Sequence, residues 1–242
     1  MIDSMCRIIF GIGNINIDTI INDFIIIANN QNEKHEHNRN VEFKHGDGWG
    51  VVYKDSNDRL DMKKSMNAVY EDENIQKYRT LDTSILLLHA RRGSRGERIL
   101  ANVHPFRQDN YVFCHNGTVK ETIPYDSRYV PEGETDSEQF FYYLLTNLKG
   151  NFSIDGLGEQ LRKINSYSGM NTFTMRDNVA YVTNWHAYNP NYYTMKLLRT
   201  KNFLIISSEV LPSFKDYNWE RLENRTVLRV DMEAGGIEGK SF

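Results

Sequence analysis

Five short segments concentrate the side chains that could attack, donate or read charge. They are Met5-Cys6-Arg7, HGDGWG (His45–Gly50), HARRGSRG (His89–Gly96) with NVHPF (Asn102–Phe106), HNG (His115–Gly117) and TDSE (Thr135–Glu138). A cysteine thiolate is a nucleophile, and attack on an acyl group is the chemistry Cys6 would serve. Taken singly, each segment has a plainer reading. A cysteine near a terminus is ordinarily a small core residue. His-Asn-Gly after a strand is ordinarily a turn. Thr-Asp-Ser-Glu ahead of an apolar run is ordinarily a helix cap. Their joint occurrence, in this order, is more specific than any one of them.

The elements that must position these segments follow from periodicity. Arg7–Ile12 is a short apolar strand ending in a Gly-Ile-Gly turn. Ile17, Ile20, Ile21, Phe24, Ile25 and Ala28 recur at helical spacing behind a cap at Asn16 or Asp18. Isoleucine is a poor intrinsic helix former, so packing must hold that helix. Residues 29–44 are polar and predict a loop. Trp49–Tyr53, Ile85–His89 and Tyr111–His115 predict buried strands. A second helix is expected over Ser137–Leu148, capped by Thr135 or Asp136 and stopped at Gly150, and a weaker one over Ile154–Ile164. The last third predicts strands at Asn171–Met175, Val179–Thr183, Tyr192–Arg199, Phe203–Ser207 and Arg225–Val230. With no repeat, linker or boundary, residues 1–242 are expected to form one domain. The pattern predicts an α+β fold with helices on antiparallel sheets.

Composition limits the partners. The chain has 242 residues, ample for a core that needs no disulfide or metal. Its net charge of −3 argues against a protein built mainly to hold nucleic acid. The basic cluster Arg91, Arg92, Arg95 and Arg98 has no aromatic platform beside it. No apolar run is long enough to span a membrane, and the first residues do not read as a signal peptide, so the expected location is cytoplasmic. Two cysteines, Cys6 and Cys114, are too few for a disulfide framework, and Cys114 on a buried strand is expected to be inert. No cofactor or metal is expected. Gly11-Ile12-Gly13 lacks a third glycine, and His35-Glu36-His37 sits in a polar stretch that reads as a solvated loop.

In this order the segments resemble the class II glutamine amidotransferase domain, a member of the N-terminal-nucleophile hydrolases. The small stand-alone members, with Met-Cys-Arg, HGDGWG, His-x-Arg, NxHPF, HNG and TDSE, are the nearest likeness. The resemblance runs from Cys6 to Glu138 and extends to Ser207-Ser208-Glu209. It implies a four-layer αββα sandwich, two antiparallel sheets flanked by helices. It implies that Cys6 is the nucleophile and that chain cleavage before it frees an α-amine, of pKa about 7.7–8.0, to take the thiol proton. The side-chain amide of Asn116 and the backbone N–H of Gly117 would form the oxyanion hole. Arg91 would hold the substrate α-carboxylate as a bidentate fork, and Asp136 its α-ammonium. Gly48 would let backbone line the pocket, and Trp49 would pack beside it. The substrate would be glutamine or a γ-glutamyl compound. The histidines at 45, 89, 104 and 115 are assigned no acid or base role.

Two departures from the family pattern matter. Ile2–Met5 intervene between Met1 and the cysteine, so translation starts at Met5, or a leader is trimmed, or the protein is inactive. Arg92 stands where related enzymes commonly carry an aromatic residue, which hints at a substrate with an extra acidic group. Three functions follow: a hydrolase acting alone on a γ-glutamyl metabolite, favoured because no synthase-like stretch follows Ser208; a glutaminase subunit feeding ammonia to a separate synthase; and a non-catalytic ligand-binding relative with a blocked N-terminus.

Overall fold

The structure, a computed structural model, describes residues 6–36, 43–93 and 96–242. The expected leader over residues 1–5, His37 of His-Glu-His, and Arg95 of the basic cluster lie outside these. In chain order the elements are β1 (Arg7–Gly13), α1 (Ile17–Ala28), β2 (Trp49–Lys54), β3 (Leu60–Ser65), β4 (Ile85–Ala90), β5 (Phe106–Gln108) and β6 (Tyr111–Val119). Next come α2 (Asp136–Leu148), α3 (Ile154–Arg162), β7 (Tyr167–Arg176), β8 (Val179–Asn184), the single turn α4 (Pro190–Tyr193) and β9 (Lys196–Arg199). The chain closes with β10 (Phe203–Ser207), β11 (Glu220–Arg221), β12 (Thr226–Asp231) and β13 (Ile237–Ser241).

The described strands form two antiparallel sheets, ordered β11-β9-β10-β1-β4-β2-β3 and β13-β12-β8-β7-β6-β5. Side chains alternate across each strand, so one strand feeds two cores. On β1, Ile8, Phe10 and Ile12 meet Val112, Cys114, Phe173 and Met175 between the sheets. Ile9, facing the other way, joins Val51, Leu86 and Leu88 beneath α1, where Ile20, Ile21, Phe24 and Ile27 are buried. On the far side, Phe113 and Val227 pack under Phe140, Phe141 and Leu144 of α2 and Leu157 and Leu161 of α3. Three apolar interfaces define four layers, αββα, as the resemblance implied. Each fully buried Ile, Leu or Phe contributes roughly 1.5–3 kcal/mol, so packing compensates for the poor helix propensity of α1.

Local signals worked where side chains close the ends. Asn16 caps α1 by accepting from the Thr19 N–H (2.9 Å), and Thr135 caps α2 by accepting from the Glu138 N–H (3.3 Å). Two expectations need correction. Tyr192–Arg199 is not one strand: Pro190 opens α4, which holds Tyr192 and Tyr193, and β9 starts only at Lys196. The strand expected to stop at His115 runs on to Val119, so Asn116 and Gly117 lie inside β6 rather than in a turn. A register shift between Gly117 and Val119 marks a bulge there.

Candidate active site

Cys6 immediately precedes β1 and is fully buried. Its backbone N–H donates to Oδ1 of Asn116 at 2.8 Å, across 110 positions of sequence and from one sheet to the other. The strand register explains the meeting. Ile8 and Cys114 face each other across the inter-sheet core. Two residues further along each strand, the same faces present Cys6 and Asn116. With Oδ1 committed, the Asn116 Nδ2 amide is buried and has no hydrogen-bond partner. An unsatisfied buried donor costs about 1–3 kcal/mol, and such exceptions in a fold commonly mark a ligand position.

Gly117 follows with φ of +148°, and a Cβ there would run into the carbonyl oxygen of Gly169 on β7. Only glycine fits this close strand approach. The bulge it permits lets the Val119 N–H donate to Asp136 Oδ2 (2.7 Å), which seats the first residue of α2 against β6. The TDSE segment fixes this corner. Glu138 accepts from the N–H groups of Glu132 and Gly133, both at 2.9 Å. The NVHPF segment adds Asn102, whose Oδ1 accepts from Glu134 N–H at 2.8 Å.

Arg91 follows the last residue of β4. Arg7 pairs with Ala90 in the register of β1 with β4, so the next pair outward is Cys6 and Arg91. The Arg91 side chain is buried. Its backbone N–H donates to Gly48 O (2.8 Å), and its carbonyl accepts from Asp47 N–H (2.9 Å). Gly48, at φ +117°, thereby ties the HGDGWG loop to the strand end carrying Arg91. A cavity of about 460 Å³ opens beside this loop, lined in part by Asp47, Arg92 and Gly93.

The structure thus gathers Cys6, Asn116, Gly117, Arg91, Gly48 and Asp136 at one end of the sandwich. It does not bring the Trp49 side chain there. The indole lies on the α1 face of its sheet and donates to Asp72 Oδ2 at 3.0 Å. Because Gly50 and Val52 alternate with it, Trp49 points away from the face that carries Cys6, so the expected packing beside the pocket is corrected to packing on the opposite, α1 side of the sheet.

Other residues bear on the site without a sequence signal. Tyr192 donates its hydroxyl proton to the Cys6 carbonyl (2.9 Å), and that hydroxyl lies 3.2 Å from His45 Nε2. The Arg7 guanidinium sits 4.4 Å from the centre of the Tyr192 ring and ion-pairs with Glu209. Nothing in the spacing of an aromatic almost two hundred residues downstream points to Cys6. Glu209 carries no sequence signal beyond its place in Ser207-Ser208-Glu209. His35, expected in a solvated loop, is instead buried against the rings of Phe43 and Tyr192.

The four histidines of the motifs are all buried. Burial pushes His89 down to about 3 and His45 and His104 well below the usual imidazole value, with the Arg7 charge adding to the effect on His45. Burial also lowers His115, against the opposing pull of the Asp136 carboxylate. These rings are neutral at physiological pH and already packed. His89 and His104 lie with ring centres 4.1 Å apart, and His115 meets Ser137 Oγ and the Gly169 carbonyl at 2.9 and 3.0 Å. Burial likewise raises the Cys114 thiol well above its usual value, which leaves it protonated.

The sequence model of the class-II glutamine amidotransferases matches residues 33–178, more than half of the chain, and the chain belongs to that family. Cys6 precedes the matched span. Among curated relatives, an uncharacterized protein of Methanocaldococcus jannaschii is 34% identical over 113 residues, 43% of this chain and 31% of that protein. Escherichia coli YafJ, whose name places it provisionally among glutamine amidotransferases, is 33% identical over 112 residues, 43% of each. The chain matches less than half the length of these relatives. A glutamine aminotransferase class-II domain protein from Silicibacter pomeroyi superposes with a TM-score of 0.63 over 98% of this chain and 99% of that one, at 15% identity. Glutamine phosphoribosylpyrophosphate amidotransferase from Bacillus subtilis gives 0.61 over 97% of this chain and 49% of that one, at 17% identity. These two likenesses establish the shared fold. Among the described residues, no helix is long and apolar enough to cross a membrane.

Proposed function

We propose that the protein is an amidohydrolase that cleaves the γ-amide of glutamine or a γ-glutamyl compound through a Cys6 thioester. The observation that carries this reading is the Asn116 side chain. One end of it accepts from the Cys6 nitrogen, and the other is a buried donor without a partner. That is what an oxyanion hole needs: a fixed donor that desolvation has already exposed to the place where charge develops.

In the proposed reaction the Cys6 sulfur adds to the γ-carbonyl carbon as its proton passes to the Cys6 α-amine. The carbonyl oxygen takes up negative charge beside Asn116 Nδ2 and the Gly117 N–H. The C–N bond breaks, and the departing amine takes the proton. Water then adds to the thioester, releasing glutamate and restoring the thiol. Arg91 and Asp136 would hold the α-carboxylate and α-ammonium. A peptide nitrogen at Cys6 could not accept the proton, because its lone pair is delocalised into the carbonyl. Activity therefore requires Cys6 to be the first residue. The test compares protein starting at Cys6 with protein retaining residues 1–5, by release of glutamate from glutamine and γ-glutamyl amides. Turnover only by the former is expected; equal turnover by both would remove the α-amine from the mechanism.

A second reading, an amidase passing ammonia to a synthase, draws on the B. subtilis relative, whose chain is about twice the length this one matches. Turnover confined to glutamine, and raised by a partner from the same cells, would favour it. Strong turnover of γ-glutamyl peptides by the isolated protein would exclude it. Retention of Met1 on protein from native cells would favour a non-catalytic relative.

A further inference from the structure

In the proposed reaction Cys6 is the first residue, and chain ends fray unless something ties them down. Cys6 also lies one place outside β1, whose pairing with β4 begins at Arg7 and Ala90. Two side chains from distant parts of the chain reach its backbone. Asn116 accepts from its nitrogen at 2.8 Å, and the Tyr192 hydroxyl donates to its carbonyl oxygen at 2.9 Å. The first contact holds the amine end of the residue and the second holds the carbonyl end. With both ends held, the Cα–Cβ bond that carries the sulfur points one way.

The Tyr192 hydroxyl is itself fixed. His45 Nδ1 lies 3.2 Å from the Ala28 carbonyl, which can only accept, so the neutral ring carries its proton on Nδ1. His45 Nε2 is then an acceptor, 3.2 Å from the Tyr192 oxygen. The phenol has one proton and two acceptors, and the Cys6 carbonyl is the nearer of them. The ring is held independently of its hydroxyl. The His35 and Tyr193 rings meet it edge-on, with centres 4.7 and 5.1 Å away. The Arg7 guanidinium stands 4.4 Å from its centre. Arg7 is fully buried, and its Nε and Nη1 have no hydrogen-bond partner. Burying a guanidinium in that state is costly, and what it meets here is Glu209 and the face of the Tyr192 ring. α4 thus presents one donor, on a packed ring, to one backbone carbonyl.

We propose that Tyr192 is a positioning residue: its hydroxyl clamps the Cys6 carbonyl and so aims the amine and thiol of residue 6 at each other and at the scissile carbonyl. The inference rests on the reading of Cys6 as nucleophile and first residue, and thiol reactivity can test it apart from turnover. In protein beginning at Cys6, Tyr192→Phe removes the hydroxyl and keeps the ring contacts. Its kcat on glutamine and γ-glutamyl amides is expected to fall about tenfold, with KM within about twofold, because reacting groups are misaimed while substrate binding is untouched. Tyr192→Met, which fills the space without a donor, serves if the phenylalanine variant does not fold. The second readout is the rate at which iodoacetamide alkylates Cys6 between about pH 5 and about pH 9, followed by peptide mass analysis. A thiol beside its amine ionises below the value of about 8.5 for free cysteine, and loss of the hydroxyl should move the midpoint up toward that value. Unchanged kcat in a folded variant overturns the clamp, as does a change confined to KM or an unmoved midpoint. A lower melting temperature with both kinetic constants kept would make the hydroxyl merely structural and also overturns it. If the wild-type protein shows no turnover but has a low midpoint that Tyr192→Phe raises, the clamp stands and the amidase reading falls. A wild-type midpoint at the free-cysteine value, without turnover, overturns both.

Discussion

Asn116 links the parts of the site, because one short side chain meets the Cys6 nitrogen and keeps a second group in reserve. Replacing it with alanine removes both functions. Loss of a single oxyanion donor lowers kcat by about 10²–10³-fold. Asn116→Ala is expected to fall in at least that range with KM changed much less, since in the proposed reaction Arg91 and Asp136 hold the substrate. Steady-state kinetics on γ-glutamyl substrates would check this; a loss confined to KM would move Asn116 from the transition state to ground-state binding. At this scale the sequence was informative where motif residues act through their own side chains or backbone. Cys6, Asn116, Gly117 and Arg91, which the resemblance singled out, lie near one another at one end of the sandwich. It was silent on Tyr192, whose hydroxyl reaches the Cys6 carbonyl only because α4 folds back against β1. It misled on Trp49, because a motif gives adjacency along a strand and not which face a side chain takes.

Among the elements, β6 has the greatest influence on the site. It is a core strand under α2, one wall of the inter-sheet core and the carrier of Asn116 and Gly117. The run Tyr111–His115 was legible as a buried strand. Its continuation was not, because Asn and Gly are turn formers, and only the tight approach of β7 makes glycine necessary inside a strand. Gly117→Ala forces a Cβ against the Gly169 carbonyl at a φ that side chains rarely adopt. The expected result is a lower melting temperature together with loss of turnover, as the bulge and the Val119–Asp136 contact shift. A variant with the wild-type melting temperature and undiminished turnover would contradict the account of the bulge. The split of Tyr192–Arg199 into α4 and β9 has a similar origin. Pro190 sets a helical first turn, and the aromatic run after it resembles a strand in composition alone.

For the molecule as a whole, the buried histidines set a pH dependence. In the unfolded chain such rings bind protons as pH falls through about 6.5. In the fold burial holds His89 down to about 3 and lowers His45, His104 and His115 as well. Between those limits the unfolded state carries more protons, so stability is lost as pH falls. The loss is up to about 1.4 kcal/mol per pH unit for each ring. Melting temperatures should therefore drop between about pH 6.5 and about pH 5, above the range where most carboxylates titrate. A flat profile over that interval would mean that these rings are not shielded. The four-layer architecture itself was beyond what periodicity could establish. Alternation marks which face of a strand is apolar, whereas pairing order and layer stacking depend on contacts far apart in sequence, such as Cys6 with Asn116.

The most direct test labels protein beginning at Cys6 with a glutamine analogue that carries a chloroketone in place of the γ-amide, followed by peptide mass analysis. The account predicts one label per chain, on Cys6, formed more slowly when glutamate is present and absent when residues 1–5 are retained. Labelling of Cys114 instead, or equal labelling of Cys6 with and without those five residues, would contradict it.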